Sequence, residues 1–250
     1  MDQAHFNYLQ RLGDDSLILG QRLGEWAGHA PTIEVDLSLS NLALDLIGQA
    51  THFLGLAGAV EGAGRDEDAL AFHRDAFDFT NCLMVEQPNG DFAQTAARQL
   101  LFSTWQNLLF ERLAHSADEE LAAVAAKASK EVAYHVRFAA DWVERLGDGT
   151  EESHRRMTEG LAWNWRFVEE LFQTDEHDHA MIARGIGVDP AGFRAEYDAQ
   201  IAGVLRSATL ETPPPHRIIA GGRSGRHSEH LGHVLAEMQF LPRAYPDAKW

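Results

Sequence analysis

The sequence predicts an all-α protein, a helical bundle with an extended C-terminal segment. Three observations predict it. Apolar residues recur at the helical period through long stretches, as at Leu39, Leu42, Leu46, Ala50 and Phe53. Alternation of the strand type is scarce. Strong breaks, Pro88-Asn89-Gly90 and Gly147-Asp148-Gly149 among them, separate the periodic runs at helix-sized intervals.

The first predicted helix covers about 36–58. The second, 67–86, carries Leu70, Phe77 and Met84 and stops before Pro88. Asp91 reads as an N-cap with Gln94 at N3, and opens a third helix that runs to about residue 115. The fourth spans roughly 118–146. It begins Asp118-Glu119-Glu120, acids that suit the positive end of a helix dipole. The fifth covers about 151–173, with Met157, Leu161, Trp165 and Phe172 as its apolar set. Asp189-Pro190 starts a sixth, which Pro213-Pro214-Pro215 ends. A basic, glycine-rich loop from Gly221 to Arg226 leads into a last helix near 227–241. Short connections among the first five helices imply antiparallel neighbours. Residues 1–250 read as a single domain, with the core bundle at about 36–175 and a less regular helical part at about 176–250.

The chain has 250 residues, is 45% hydrophobic and carries a net charge of -17. A surface that acidic repels nucleic acid and anionic lipid, so neither is an expected partner. A single cysteine, Cys82, leaves no intrachain disulfide to form and fits a reducing cytoplasm. The start, Met-Asp-Gln-Ala-His, lacks the basic opening of a signal peptide. The longest apolar run, around Leu42 to Leu56, is broken by Asp45, Gln49 and His52, so no membrane span is expected. The expected location is cytoplasmic.

The acids suggest more than solubility. Asp45, the pair Asp75 and Asp78, and Glu131 fall at intervals that a ferritin-like di-iron bundle would use. Such a bundle takes one carboxylate from each of two helices and a Glu-x-x-His pair from each of the other two. Here Asp78 stands where a histidine belongs. The stretch 159–166, where the second pair is expected, reads Glu-Gly-Leu-Ala-Trp-Asn-Trp-Arg and offers none. Glu-x-x-His does occur at Glu151/His154 and Glu176/His179, but both lie at predicted helix ends. No catalytic residue and no metal ligand set is therefore assigned, and these acids are read as positions of a lost site. Lys127 and Lys130, each one turn from Glu131 or Tyr134, are candidates to neutralise acids left behind by a metal, because uncompensated buried charge is costly. A surface Lys–Glu pair is the bland alternative. His230, His233 and Glu237 share a helix face and read as a polar face in preference to a metal site. Arg223 and Arg226, with Arg217, surround flexible glycines ahead of a helix and form either an anion cradle or an interface loop.

Longer strings carry a resemblance. Arg11-Leu12-Gly13-Asp14, Gln21-Arg22-Leu23-Gly24-Glu25-Trp26, Leu44-Asp45-Leu46-Ile47-Gly48-Gln49-Ala50, Val85-Glu86-Gln87-Pro88-Asn89-Gly90-Asp91-Phe92 and Glu229-His230-Leu231-Gly232 resemble the C subunits of bacterial phenylacetyl-CoA epoxidases from end to end. The resemblance implies a ferritin-like fold and a structural subunit that pairs with a catalytic A subunit, as a heterodimer or a higher hetero-oligomer. It implies di-iron in that A subunit, and NADPH, FAD and iron–sulfur in a separate reductase subunit, with further small subunits in the complex. It implies no cofactor in this chain. Trp26, Phe92, Trp105, Trp142, Trp163 and Trp165 are candidates for an interface centre, each being also a good core residue. Two other functions stay open: an independent carboxylate-ligated di-metal oxidase, and an acyl-CoA-binding ferritin-like module that uses the loop at 221–226.

Overall fold

A computed structural model of the chain describes residues 2–246 and residue 248. Among the described residues it contains eleven α-helices, several short 3-10 turns and no strand. These fall into two compact units, described separately below. The first comprises Met1–Pro88, Glu176–Met181 and Gly221–Trp250, and the second Asn89–Asp175 and Ile182–Ala220.

The first unit is built on α1 (Gln3–Gly24) and α2 (Ile33–Glu61). Asp2 caps α1 by accepting from the His5 N–H, and Thr32 caps α2 by accepting from Val35. Gly13 and Gly20, two turns apart on α1, let the helices approach closely. A Cβ at Gly13 would lie 2.7 Å from the Leu54 side chain, and one at Gly20 would lie 3.0 Å from Ile47. Leu39, Leu42, Leu46 and Phe53 of α2 are fully buried, and so are Ile18, Leu19 and Leu23 of α1. Among the described helices α2 is long and apolar enough, by length and composition, to cross a membrane. A core helix passes the same test, and packing inside the first unit accounts for the buried apolar residues of α2, while Ile33, Leu37 and Leu44 stay exposed. The first unit is completed by α3 (Glu67–Phe72), α4 (Leu83–Glu86), the start of α8 (Glu176–Ala183), α10 (Glu229–Met238) and α11 (Phe240–Ala244).

The second unit pairs α5 (Phe92–Leu113) with α6 (Glu119–Gly147) across a short connection. Added to them are α7 (Glu151–Trp165) and α9 (Arg194–Ser207). The Asp91 cap matches the sequence expectation, accepting from Gln94 N–H at 2.9 Å, and Asp118, expected only as an acid at the dipole's positive end, also caps α6 by accepting from Leu121 N–H at 3.0 Å. Phe92 and Trp142 meet edge to face at 5.1 Å between centroids. Gly160 brings α7 against the start of α5, where a Cβ would lie 2.7 Å from the Gln94 Cα. Gly147 receives the end of α9 in the same way, where a Cβ would collide with the Ala208 carbonyl oxygen.

Several element boundaries differ from expectation. Helix α1 was not predicted, and the bundle core therefore begins well before residue 36. The segment expected as one helix over 67–86 is α3, a 3-10 turn at Ala76–Asp78 and α4. The reason is a side chain. Buried Arg74 donates to the carbonyls of Leu70 and Asp78, and Asp14 and Asp15 accept from the N–H groups of Thr80 and Cys82. Backbone groups that a helix would pair internally are satisfied by side chains, Arg74 within the segment and Asp14 and Asp15 outside it, which frees it to run irregularly. The helix expected over 151–173 ends at Trp165 and is followed by a 3-10 turn at Val168–Phe172. The sixth begins as a 3-10 turn, Pro190–Phe193, and continues as α9; it ends at Ser207, before the prolines. The last predicted helix is split between α10 and α11. The stretch 176–250 does not behave as one part either, since 176–181 and 221–250 belong with the first unit and 182–220 with the second.

The close approach of α1 to α2 makes a prediction. Gly13→Val should lower the unfolding free energy by about 2 kcal/mol or more, because the Leu54 backbone N–H, 3.3 Å from the added Cβ, cannot move as its side chain can. Thermal melts beside the exposed-site control Gly24→Ala, whose Cβ would meet nothing within 4 Å, measure it.

Candidate functional site

Helix α1 is buried over almost its whole length, yet it carries Arg11, Asp14, Asp15 and Arg22. A buried charge without a partner costs several kcal/mol, so each of these requires one. The structure supplies them from three other segments of the first unit. Arg11 pairs with Asp178 of α8 at 2.7 Å. Asp14 takes a two-pronged bond from Arg74, with Nη1 to Oδ2 at 3.0 Å, and also accepts from the Thr80 N–H at 2.8 Å. Asp15 accepts from the Cys82 N–H and from Arg223, both at 2.7 Å. Arg22 donates to the carbonyl oxygens of Glu86, at 2.8 Å, and His230, at 3.2 Å.

Glu86 extends the network. Its fully buried carboxylate accepts from Asn81 Nδ2 at 2.9 Å, from the Ser228 N–H at 2.6 Å and from His227 at 2.7 Å. The other ring nitrogen of His227 lies 2.9 Å from the Phe79 carbonyl oxygen. With acceptors at both nitrogens, the imidazolium is the form that satisfies both contacts. Burial pulls His227 toward its neutral form, but the bonds to Glu86 and to the Phe79 carbonyl outweigh it and hold its pKa above the ordinary histidine value. Burial likewise pushes the Asp15 carboxyl up, against the opposing pull of Arg223. Every acid in this network is bonded to protein donors, and none offers an open side to a metal or substrate. The chemistry it performs is fastening: residues 73–86 and 221–230 are tied to α1.

This network answers the question of the basic loop. Arg223, read from sequence as part of an anion cradle, spends its guanidinium on Asp15 and on the Thr80 carbonyl oxygen at 3.0 Å. The backbone N–H of Ser228, just ahead of α10, is taken by Glu86. The anion at that helix start is the protein's own carboxylate. Arg226 is exposed. In the same unit, a cavity of about 530 Å³ is lined by Asp68, Phe72, His73, Glu237, Leu241 and Tyr245, an acidic and apolar lining that suits no polyphosphate.

The acids that pointed to a lost di-iron box lie apart in chemical setting. Asp45 is half-buried on α2. Asp75 and Asp78 are exposed on the 3-10 turn and cap it, with Asp78 Oδ2 accepting from the Asp75 N–H at 3.1 Å. Arg243 adds a surface ion pair to Asp75 at 3.1 Å. They are not an i, i+3 pair on a helix face, because the helix expected there is broken. Glu131 lies on α6 with Lys127 at 3.9 Å; the Lys127 side chain is 66% exposed, so the pair is of the weak surface kind. Lys130 is exposed on the same helix. At the second expected Glu-x-x-His position, Asn164 is buried and donates to the carbonyls of Gln94 and Gly160. His154 of the Glu151 match bonds the Gly147 carbonyl oxygen. Among the described residues no group of three or more His, Cys, Asp or Glu side chains is placed to hold a metal ion. The residues present do not fit a di-iron centre. Of the aromatic interface candidates, Trp105 is a core residue, whereas Trp163 is 38% exposed with Arg166 stacked 3.8 Å from its ring centre.

Sequence reasoning missed Asp14, Asp15, Glu86 and His227 as a group. A signal existed: charged residues set inside the apolar run from Leu12 to Leu19 mark a helix that is buried on the faces bearing charge.

The family profile described as phenylacetic acid catabolic protein matches residues 1–250. The chain is 51% identical, over 243 residues, to the C subunit of the 1,2-phenylacetyl-CoA epoxidase of Escherichia coli (strain K12), a match that covers 97% of this chain and 98% of that protein. The all-α, ferritin-like class expected from the sequence stands with that match.

The network's geometry sets two expected outcomes. Arg74→Met leaves Asp14 charged and buried and should cost about 3–5 kcal/mol; adding Asp14→Asn should recover part of that loss, as urea unfolding of both variants would record. Because the folded pKa of His227 is raised, its contribution is complete below 6.5 and is lost as the pH rises through the folded value. The wild type should therefore lose stability as the pH is raised above 6.5, and His227→Gln should flatten that part of the curve.

Proposed function

The chain belongs to the phenylacetic acid catabolic protein family, and from that membership we propose that it is the non-catalytic structural subunit of a 1,2-phenylacetyl-CoA epoxidase. In this role it pairs with the catalytic A subunit and stabilises it during aerobic phenylacetate breakdown. The chain then needs no cofactor of its own. The di-iron centre sits in the A subunit, and electrons reach it from a separate reductase that holds NADPH, FAD and iron–sulfur groups. The complex works in the cytoplasm, away from membrane and nucleic acid. Residues 1–250 act as one domain, a reading supported by a family match that runs through both units.

The observation that carries the proposal is the fate of the acids. Where a di-iron bundle needs carboxylates and histidines on facing helix surfaces, this chain has Asp75 and Asp78 capping an exposed turn, and Asn164 bonded to backbone carbonyls. Asp45 and Glu131 are what such a site would leave behind, and Lys127 pairs with one of them at the surface. The reading as an independent di-metal oxidase requires four acids to converge, and among the described residues no such grouping occurs. The acyl-CoA reading requires free cations at 221–226, and Arg223 is committed to Asp15.

Co-expression with an A-type catalytic subunit tests the proposal. The two chains should elute together in size-exclusion chromatography. The A-type subunit should gain about 2.7 kcal/mol when this chain is present at a hundred times its Kd. Separate elution, with the A-type subunit equally stable and active alone, would refute it.

A further inference from the structure

Residues 221–228, Gly-Gly-Arg-Ser-Gly-Arg-His-Ser, lead into α10 and lie across residues 77–86. The fit is made at the backbone. Gly222 and Gly225 are buried. A Cβ on Gly222 would collide with the Asn81 carbonyl oxygen, and one on Gly225 would lie 2.5 Å from that of Phe77. Gly225 also has a φ of 72°, which suits a residue without a side chain.

Donors then fasten the loop to the segment beneath it. Arg223 donates to Asp15 at 2.7 Å and to the Thr80 carbonyl oxygen at 3.0 Å. The protonated His227 ring donates to Glu86 at 2.7 Å and to the Phe79 carbonyl oxygen at 2.9 Å. The Ser228 N–H donates to Glu86 at 2.6 Å. Of these donors only the imidazole titrates near neutral pH. A guanidinium keeps its charge and a backbone N–H does not ionise.

Loss of that proton cannot be absorbed in place. The neutral ring has one N–H for two acceptors, so a lone pair must face either Glu86 or the Phe79 carbonyl. The His227 side chain is 6% exposed, which leaves little room for water to restore the broken bond. Among the described residues His227 is also the cation paired with the Glu86 carboxylate, which is fully buried. Neutralising it turns a matched buried pair into an unmatched buried charge. The neighbouring charges do not compensate. Asp14 is held by Arg74 and Asp15 by Arg223, while Arg22 is bonded to Glu25 and to backbone carbonyls. Arg226 and Glu229 are exposed and His230 is half-buried.

We propose that residues 221–228 are a pH-released clasp, closed over residues 77–86 while His227 carries its proton and opened when the proton is lost. Opening uncovers Asp15, Glu86 and the Phe79 and Thr80 carbonyls together, a strip of acids and acceptors from which the cations of the loop have been withdrawn. Burial favours the neutral ring, but the bonds to Glu86 and Phe79 outweigh it and hold the folded pKa above 6.5. The clasp is therefore closed at low pH and opens as the pH rises.

Hydrogen–deuterium exchange on the full chain, corrected for the intrinsic pH dependence of exchange, tests it from below pH 6.5 to well above. Opening releases one proton between 6.5 and the folded value, so the opening constant of residues 221–228 should rise about tenfold per pH unit across that window and then level off. Amides of α5 and α6 should stay protected at every pH at which the loop has opened. NMR of the imidazole carbons in the same chain reads the His227 titration directly, and its midpoint should fall where the rise levels off. In His227→Gln the loop should exchange at the high-pH level throughout, with the slope gone. A flat profile in the wild type, a slope that persists in His227→Gln, or a loop that opens only together with α5 and α6 would each overturn the clasp. If His227→Gln does not fold, the wild-type chain decides: coincidence of the exchange profile with the imidazole titration supports the clasp, and separation of the two overturns it.

Discussion

Helix α1 is buried along almost its whole length and charged along it as well, and that conflict organises the first unit. Four charges on one buried helix cannot be left to water. Three are answered by charges distant in sequence, Asp178 for Arg11, Arg74 for Asp14 and Arg223 for Asp15, and Arg22 pairs with nearby Glu25 and donates to the distant Glu86 and His230 carbonyls. Pairs of this kind add little net stability compared with apolar replacements, but half a pair is severely unfavourable. They therefore act as a specification. The irregular path of residues 73–82, and the return of residues 221–230 to α1, are the arrangements that leave no charge unanswered.

The same constraint explains how acids can persist without metal. A carboxylate buried among helices is compatible with folding if cations or backbone N–H groups surround it. Asp14, Asp15 and Glu86 have such surroundings and are structural. Asp75 and Asp78 avoid the problem by lying in solvent. A working di-iron site would instead keep several carboxylates together and let the metal neutralise them. These are alternative solutions to one electrostatic problem, and the residues of this chain are arranged for the first.

Much of this was legible in the sequence. Helical periodicity, together with the cap at Asp91 and the acids at 118–120, located α5 and α6 to within a few residues, because local pattern and local chemistry agree there. The missing histidines at 78 and across 159–166 were visible by inspection. What was not legible depends on partners far apart in the chain. The break of the 67–86 helix follows from Arg74 meeting Asp14 and from Thr80 and Cys82 meeting Asp14 and Asp15. Nothing within 67–86 announces those contacts. The role of Arg223 was hidden for the same reason: its loop has the composition of an anion site, and only the fold reveals that the anion is Asp15. Helix α1 was not among the predicted helices although its apolar residues recur at the helical period, and the charges it carries are what make it the hub.

Asp14, Asp15 and Glu86 fasten the chain, and under the proposed function Asp45, Asp75, Asp78 and Glu131 hold no metal. Diffraction data collected at the iron edge, from crystals of chain produced in iron-supplemented cells, test that most directly. The expected result is no anomalous density near Asp45, Asp75, Asp78 or Glu131. A pair of strong anomalous peaks bridged by any of these carboxylates would contradict it, and would make the chain an oxidase in its own right.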